Sequence, residues 1–336
     1  MASRTVTLEQ VARHAGVSPS TVSRILNGTA VVSDDKKQAV EDAIRTLGFV
    51  PNPVARGLAG GRTLSIGVVT QAIDSPFYGA ALRGIEDTLG AAGYSPLFVS
   101  GHWNADEEAR CIDVLRARRV DGLIVLTGRL SDAALRALAR QLPVVVTGRS
   151  LKAQGLLSLD FDNALGARIA TEHLLGLGHR SIAFIGGDPL HPDSREREAG
   201  FRAAFTDAGV TVDPMLMTVG DYQEAGGRQA IERLLDARRR FSAVFAANDQ
   251  MAFGAALALH RRGLRVPQDV SLVGFDDLAS ASYSIPPLTT VHQPVMDLGR
   301  AAAAGMLALL AGSKPDTALP PPQLVVREST ASAVGG

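Results

Sequence analysis

A chain of 336 residues, 46% apolar and 20% charged, with 34 basic and 34 acidic side chains, has room for a small module and one large two-lobed globular domain. It has no run of about 18 apolar residues, which excludes a membrane-spanning helix, and its start, MASRTVTLEQVARHAG, lacks the apolar core of a secretory signal, so a cytoplasmic protein is expected. The single cysteine, Cys111, excludes an internal disulfide, and the zero net charge divides into +3 over residues 1–62 (eight Lys/Arg, five Asp/Glu) and −3 over the remainder, a basic head compatible with nucleic-acid binding.

In chain order, Thr7-Leu8-Glu9-Gln10 spells a capping box. Leu8, Val11, Ala12 and Ala15 then share one helical face, and Gly16 stops the helix. Ser18 caps a second helix with Pro19 at its first position and Val22, Ile25 and Leu26 on its buried face. A third helix starts at Ser33, carries Asp34 and Asp35 at its positive end, and buries Val40, Ala43, Ile44 and Leu47 before Gly48. Two short helices joined by a glycine-containing turn and followed by a packing helix form a helix-turn-helix plan. Asn52-Pro53 opens a short fourth helix over residues 54–59, too brief to stand alone, which Gly60-Gly61 ends. From residue 64 short apolar runs (64–70, 96–100, 122–126, 144–147, 182–186, 244–247 and 270–274) alternate with helical stretches, the pattern of parallel sheets in an α/β domain with two similar lobes.

The first residues of the second helix of such a motif reach base edges in the major groove. Here they are Pro19, Ser20 and Thr21, followed by Ser23, Arg24 and Asn27. Arg24 has the fork that fits guanine O6/N7, while Thr7, Ser18 and Thr21 suit phosphates. The plainer reading makes Ser18 and Thr21 caps only and leaves Arg24 solvated. No His/Cys/acid cluster has metal-ligand spacing, and neither a Walker-type Gly-Lys-Ser/Thr nor a G-x-S-x-G motif is present, so no metal, cofactor or enzyme activity is expected. Gly186-Gly187-Asp188 is a faint phosphate-loop echo and reads as a turn.

The run Val11-Ala12-x-x-Ala15-Gly16-Val17-Ser18-x-x-Thr21-Val22-Ser23-Arg24-x-Leu26-Asn27 resembles the signature of the lactose-repressor (LacI/GalR) family. The resemblance continues through Gly48-Phe49-Val50-Pro51-Asn52, Pro76-Phe77-Tyr78, Asp121-Gly122-Leu123-Ile124, Ala247-Asn248-Asp249-Gln250, Gly274-Phe275-Asp276-Asp277 and Pro287-Leu288-Thr289-Thr290-Val291. It implies a small all-α helix-turn-helix head (1–50), a hinge helix and linker (51–62), and a doubly wound body like a periplasmic binding protein (63–336). One lobe would span about 63–161 and 294–323, the other about 162–293 and 324–330. It further implies a homodimer on a pseudo-palindromic double-stranded operator. Asn52 and Ala55 of the hinge segment would bind DNA, with Leu58 wedged into the minor groove, unless Leu58 packs on the body instead. No leucine heptads follow residues 325–330, so a dimer and not a tetramer is expected.

For the body the resemblance implies a small-molecule effector in the cleft, a sugar or sugar derivative, with a purine, nucleoside or sugar phosphate as the alternative and a sugar-binding protein without regulatory role as a further one. The candidate contacts are Ser75, Phe77, Tyr78, Thr127, Arg149, Arg197, Tyr222, Asn248, Asp276 and Gln293. Gly148 stands where some relatives have an acid, and Arg149 after it favours an acidic or phosphorylated ligand. Asp249 and Asp277 read equally as helix caps or ligands, Phe275 as core, His173 and His179 as structural. Trp103 is placed at the dimer face or a surface loop rather than in the cleft.

Overall fold

The computed structural model describes residues 6–26, 32–49, 62–314 and 319–333. Helix α1 (Leu8–His14) is held from both sides of its first turn. The Thr7 hydroxyl accepts from the Gln10 N–H at 3.3 Å, and Gln10 Oε1 accepts from the Thr7 N–H at 2.8 Å. Gly16, at φ +64°, reverses the chain so that the Val17 N–H reaches the Ala12 carbonyl at 3.0 Å. Helix α2 (Pro19–Leu26) begins where the Ser18 hydroxyl accepts from the Thr21 N–H at 3.2 Å, and α3 (Asp34–Leu47) closes on Gly48 in the left-handed region. Val11, Ala12, Val22, Val40 and Ala43 form the core of this unit, with Leu8, Ile25, Ile44 and Leu47 packed around it. Each fully buried valine contributes roughly 1.5–3 kcal/mol. Asn27, and Asn52, Ala55 and Leu58 of the expected hinge helix, lie outside the described residues.

The first sheet of the body contains β1 (Ser65–Thr70), β2 (Ser95–Ser100), β3 (Gly122–Val125), β4 (Val144–Thr147) and β5 (Leu156–Leu159), in the order β2-β1-β3-β4-β5. Three helices alternate with these strands: α4 (Pro76–Ala91), α5 (Ala105–Ala117) and α6 (Asp132–Ala139). Beyond α7 (Asn163–Gly176) come β6 (Ile182–Gly186), α8 (Pro192–Asp207), β7 (Met217–Val219), α9 (Glu224–Asp236), β8 (Ala243–Ala246), α10 (Asp249–Arg261), β9 (Ser271–Asp276) and β10 (Thr289–His292). Helix α11 (Val295–Leu310) returns to the first sheet, packing on α4 and against β3 to β5, before β11 (Gln323–Val325) closes the second. The second sheet has the order β11-β10-β9-β8-β6-β7, parallel except for the antiparallel β10–β11 pair. Covering helices bury such strands on both faces, which is why they read as continuous apolar runs.

Helix pairs in the body meet at glycines. A Cβ on Gly84 of α4 would lie 2.2 Å from the Met296 carbonyl of α11, and one on Gly200 of α8 would lie 2.1 Å from the Ala164 carbonyl of α7. Hydrogen is the only substituent that fits these crossings.

Four strands escape a search for apolar runs. Strands β5, β7 and β11 are short and at most half-buried along most of their length. Strand β10 is buried but opens on two threonines whose hydroxyls are satisfied internally: Thr290 donates to Asp249 at 2.6 Å, and Thr289 accepts from the Arg327 N–H at 2.9 Å.

Candidate functional site

The residues facing between the two lobes follow the C-terminal ends of strands, where open α/β sheets place their ligands. From the first lobe come Ala72, Ser75, Phe77, Tyr78 and Trp103; from the second come His191, Asp193, Arg197, Asp221, Tyr222, Gln223, Asn248, Gln250 and Asp276. Together they enclose a cavity of about 150 Å³. Phe77 meets Tyr78 edge-on at 5.2 Å between ring centroids, Tyr78 meets Trp103 at 6.2 Å, and Trp103 lies 3.9 Å from the His191 ring.

Trp103 lines the cleft, where the expectation had placed it at the dimer face or a surface loop. The loop that carries it is tied inward: the Trp103 N–H donates to Gln71 Oε1 at 2.9 Å, and Gln71 Nε2 donates to the Thr127 carbonyl at 2.6 Å. Its position three residues beyond β2 is the signal that would have found it. Trp103, Tyr222 and Asp276 all have positive φ (+56°, +65° and +113°). Non-glycine residues held this way cost on the order of 1–3 kcal/mol each and concentrate at functional sites.

Arg197 is buried, and its guanidinium stacks 3.8 Å above the Phe275 ring. Nε donates to Asn163 Oδ1 at 2.9 Å, Nη2 to Gln293 Oε1 at 3.2 Å, and Nη1 to the Ala247 carbonyl; Nη1 also lies 3.6 Å from Asp276 Oδ1. Phe275 is thus core and a platform for the arginine. Burial drives the Asp276 carboxyl well above its usual range, with Arg197 opposing that shift. Asp193, in the first turn of α8, is raised by burial as well. Burial also lowers His191 to about 4, with Arg129 adding to the effect, so its ring is neutral near pH 7.

Asn248 lines the cavity while working as scaffold. Its Oδ1 accepts from the Met251 N–H at 2.9 Å, capping α10, and its Nδ2 donates to the Tyr222 carbonyl at 3.0 Å. Gln293 and Thr127 border a narrower void beside the cavity; Gln293 holds Arg197, and the Thr127 N–H donates to Thr147 Oγ1 at 3.1 Å. Arg149 lines a separate chamber of about 660 Å³ on the far side of the Trp103–His191 pair. Its guanidinium donates to the Gly128 and Leu130 carbonyls and approaches Asp132 at 3.3 Å. The extra cation expected from Gly148-Arg149 thus does not border the cavity. Asp249 and Asp277 are structural: Asp249 accepts from the Leu278 N–H at 2.8 Å and from Thr290, and Asp277 accepts from Arg327 at 2.7 Å and pairs with His292. His173 bonds Thr330, and His179 bonds Ser242 and Ser271.

The turn after β6 carries an interlobe contact. Asp188 pairs with Arg129 of the first lobe, whose Nη2 also lies 3.2 Å from His191 Nε2. Buried Glu108 sets the Arg129 loop by accepting the N–H groups of Arg129 at 2.8 Å and Leu130 at 3.0 Å. Sequence reasoning passed over Asp193, His191 and Arg129, although each follows a strand end.

On the head, Thr7, Ser18, Pro19, Ser20 and Arg24 are exposed, and Thr21 and Ser23 are partly so. The Ser18 hydroxyl is within 2.9 Å of Ser20 Oγ and 2.8 Å of Thr21 Oγ1, and Arg24 Nε donates to the Ser20 carbonyl at 3.4 Å. Among the described residues no group of three His, Cys, Asp or Glu is placed to hold a metal, and no helix is long and apolar enough to cross a membrane.

Residues 7–52 match the family described as bacterial regulatory proteins, lacI family, and residues 171–330 match a periplasmic binding protein-like domain. The HTH-type transcriptional repressor PurR of Yersinia pestis is 35% identical over 330 residues, 97% of each chain, and that of Erwinia tasmaniensis is 36% identical over 299 residues, 88% of each. The Lac repressor dimer bound to operator and the anti-inducer ONPF superposes with a TM-score of 0.88 at 32% identity, covering 98% of this chain and 100% of that one. The transcriptional regulator CelR–cellobiose complex superposes at 0.72 with 35% identity, covering 96% and 99%.

Proposed function

The chain belongs to the LacI family of bacterial regulatory proteins, and from that premise we propose a homodimeric repressor of carbohydrate-utilisation genes whose hold on operator DNA is set by a sugar between its lobes. It is a ligand-responsive DNA-binding repressor, not an enzyme, like the repressors it is similar to over almost its whole length. Residues 1–50 act as the DNA-reading head, 51–62 as hinge helix and linker, and 63–336 as the two-lobed body. Arg24 reads a base from α2, Ser18 and Thr21 steady the phosphates, and Leu58 is the minor-groove wedge.

One observation carries the sugar reading: ring faces from both lobes (Phe77, Tyr78, Trp103, Tyr222) surround a cavity whose polar end is a buried, orientation-locked Arg197–Asp276 pair. Ring faces cover the C–H surface of a pyranose, and fixed polar groups orient its hydroxyls. Ligand spanning the cleft favours one lobe arrangement. It changes operator affinity only through its different affinities for the two arrangements.

A purine is the second reading, favoured by the similarity to PurR and by rings that would stack on a base equally well. Fluorescence anisotropy on an operator selected from random duplexes, repeated with neutral sugars and with hypoxanthine and guanine, separates the two. A sugar is expected to shift operator affinity at least about tenfold, within the usual coupling range. A shift from the purines alone selects the second reading, and affinity unchanged by every molecule the body binds defeats both.

A further inference from the structure

We propose that the end of the second lobe opposite the cleft is a basic seat for the phosphate backbone of duplex DNA, so that a chain bound to its operator takes up a second DNA segment of any sequence. Strands β6, β8 and β9 are neighbours in one parallel sheet, so the loops that enter them lie side by side, at the strand ends away from the cleft. These loops are laced together. Ser181 Oγ donates to the Arg240 carbonyl at 2.8 Å, the Ser271 N–H donates to the Ser242 carbonyl at 3.0 Å, and Arg262 pairs with Asp236 at 2.6 Å. The loops entering β8 and β9, with the helix ends before them, carry Arg238, Arg239, Arg240, Arg261, Arg262 and Arg265 against two acids, Asp236 and Asp269. Arg180, exposed on the loop entering β6, extends the same row.

Both acids are already taken, Asp236 by Arg262 and Asp269 by Arg265 at 2.8 Å. Among the described residues the side chains of Arg238, Arg239, Arg240 and Arg261 make no hydrogen bond or ion pair. Arg238, Arg240 and Arg261 are exposed and Arg239 is partly so, which leaves their guanidinium groups open to a partner. Arg238 also holds φ +55°, so a cation stands where glycine would be the less strained residue. The C-termini of α9 and α10 favour a nearby cation, but that accounts for neither the length of the run nor the strain. Cations crowded without counter-charges repel one another, and a polyanion relieves the repulsion.

The chemistry of the surface selects the polyanion. Every cation in the row is an arginine, whose planar fork matches the paired oxygens of a phosphate. None of the exposed large apolar side chains falls on these loops. A protein partner would need an apolar centre there, and a bilayer would need side chains to insert. Phosphates alone need neither, and contacts to phosphates are blind to sequence. A DNA-bound repressor also meets neighbouring DNA at high local concentration, so a weak seat suffices to bridge two segments.

The test loads the full-length chain with one equivalent of its selected operator and titrates it with a labelled duplex of unrelated sequence, followed by anisotropy. Uptake is expected with a Kd on the order of 10⁻⁶ to 10⁻⁴ M in 50 mM salt, weakening at least about tenfold by 150 mM. Arg238→Glu, Arg239→Glu and Arg240→Glu together should weaken uptake at least about tenfold while operator affinity stays within about twofold. The same three positions changed to alanine should show a smaller loss in the same direction, and they decide the matter if the charge reversal does not fold. No uptake of the second duplex, uptake indifferent to the substitutions, or an equal fall in operator affinity overturns the proposal. Capture of polyglutamate or of phosphatidylserine vesicles with the duplex left free overturns it as well.

Discussion

The two lobes share an architecture and divide the chemistry of the cleft. The first contributes Ala72, Ser75, Phe77, Tyr78 and Trp103, and the second contributes every Asp and Arg of the cavity wall. The same strand–helix–strand scaffold thus presents surfaces that cover a ligand on one side and groups that discriminate on the other. Covering needs only area and shape, whereas discrimination needs polar atoms held so firmly that a wrong partner leaves them unsatisfied. The second lobe meets that demand by bracing Arg197 with Asn163, Gln293 and the Ala247 carbonyl.

The division breaks most visibly at Asp276. Asp276→Ala is expected to abolish the effector response while operator affinity without effector stays within a few-fold, measured by anisotropy with and without ligand. Loss of both together would make Asp276 a folding residue.

Next in size is the pH dependence of the second lobe. Burial raises the Asp249 carboxyl from 3.8 to about 7. A folded pKa above the unfolded one means that the native state holds the proton more tightly. The stability it supplies is complete below about pH 4 and is lost as pH rises through about 7, on the order of a few kcal/mol. Calorimetric melting from pH 5 to 8 should show a falling midpoint that Asp249→Asn flattens; equal slopes for both proteins would remove Asp249 as the cause.

The covering side should give smaller changes. Trp103→Ala is expected to weaken effector binding by about tenfold without altering which ligands are preferred, the scale of one lost aromatic contact with its buried area. Trp103 is the only tryptophan, so effector binding should also change the intrinsic fluorescence of the native chain. Silent fluorescence on a bound ligand would take Trp103 out of the wall.

The smallest effect belongs to the contact that joins the lobes. Arg129 and Asp188 are 29% and 35% exposed, so their pairing contributes about 0.2–1 kcal/mol after solvent screening. Arg129→Ala should change effector affinity two- to five-fold, and a double-mutant cycle with Asp188→Ala should assign that change to the pair.

The head was legible residue by residue. The capping box at Thr7, the turn at Gly16, the cap at Ser18 and the close at Gly48 are interactions between residues a few positions apart, so sequence spacing contains them. The apolar runs of the central strands were legible for the same reason, since burial on both faces writes itself into composition. Of the cleft, strand-end position and family resemblance picked out Tyr78, Arg197, Tyr222 and Asp276, but not what each one does there.

Those roles depend on atoms brought together from distant parts of the chain. Arg197 is oriented by Gln293, 96 residues away, and the backbone of the Trp103 loop by Gln71, 32 residues before it. Asn248 turned out to spend both ends of its amide on the protein, and Asp193 Oδ1 is enclosed without a hydrogen-bond partner. Sequence by itself determined the helix-turn-helix head, the alternating α/β body and the family, because caps, turns and periodic burial are local. Tertiary structure alone decided which polar groups are already satisfied and which are left for a ligand, because hydrogen-bond satisfaction belongs to the packed whole.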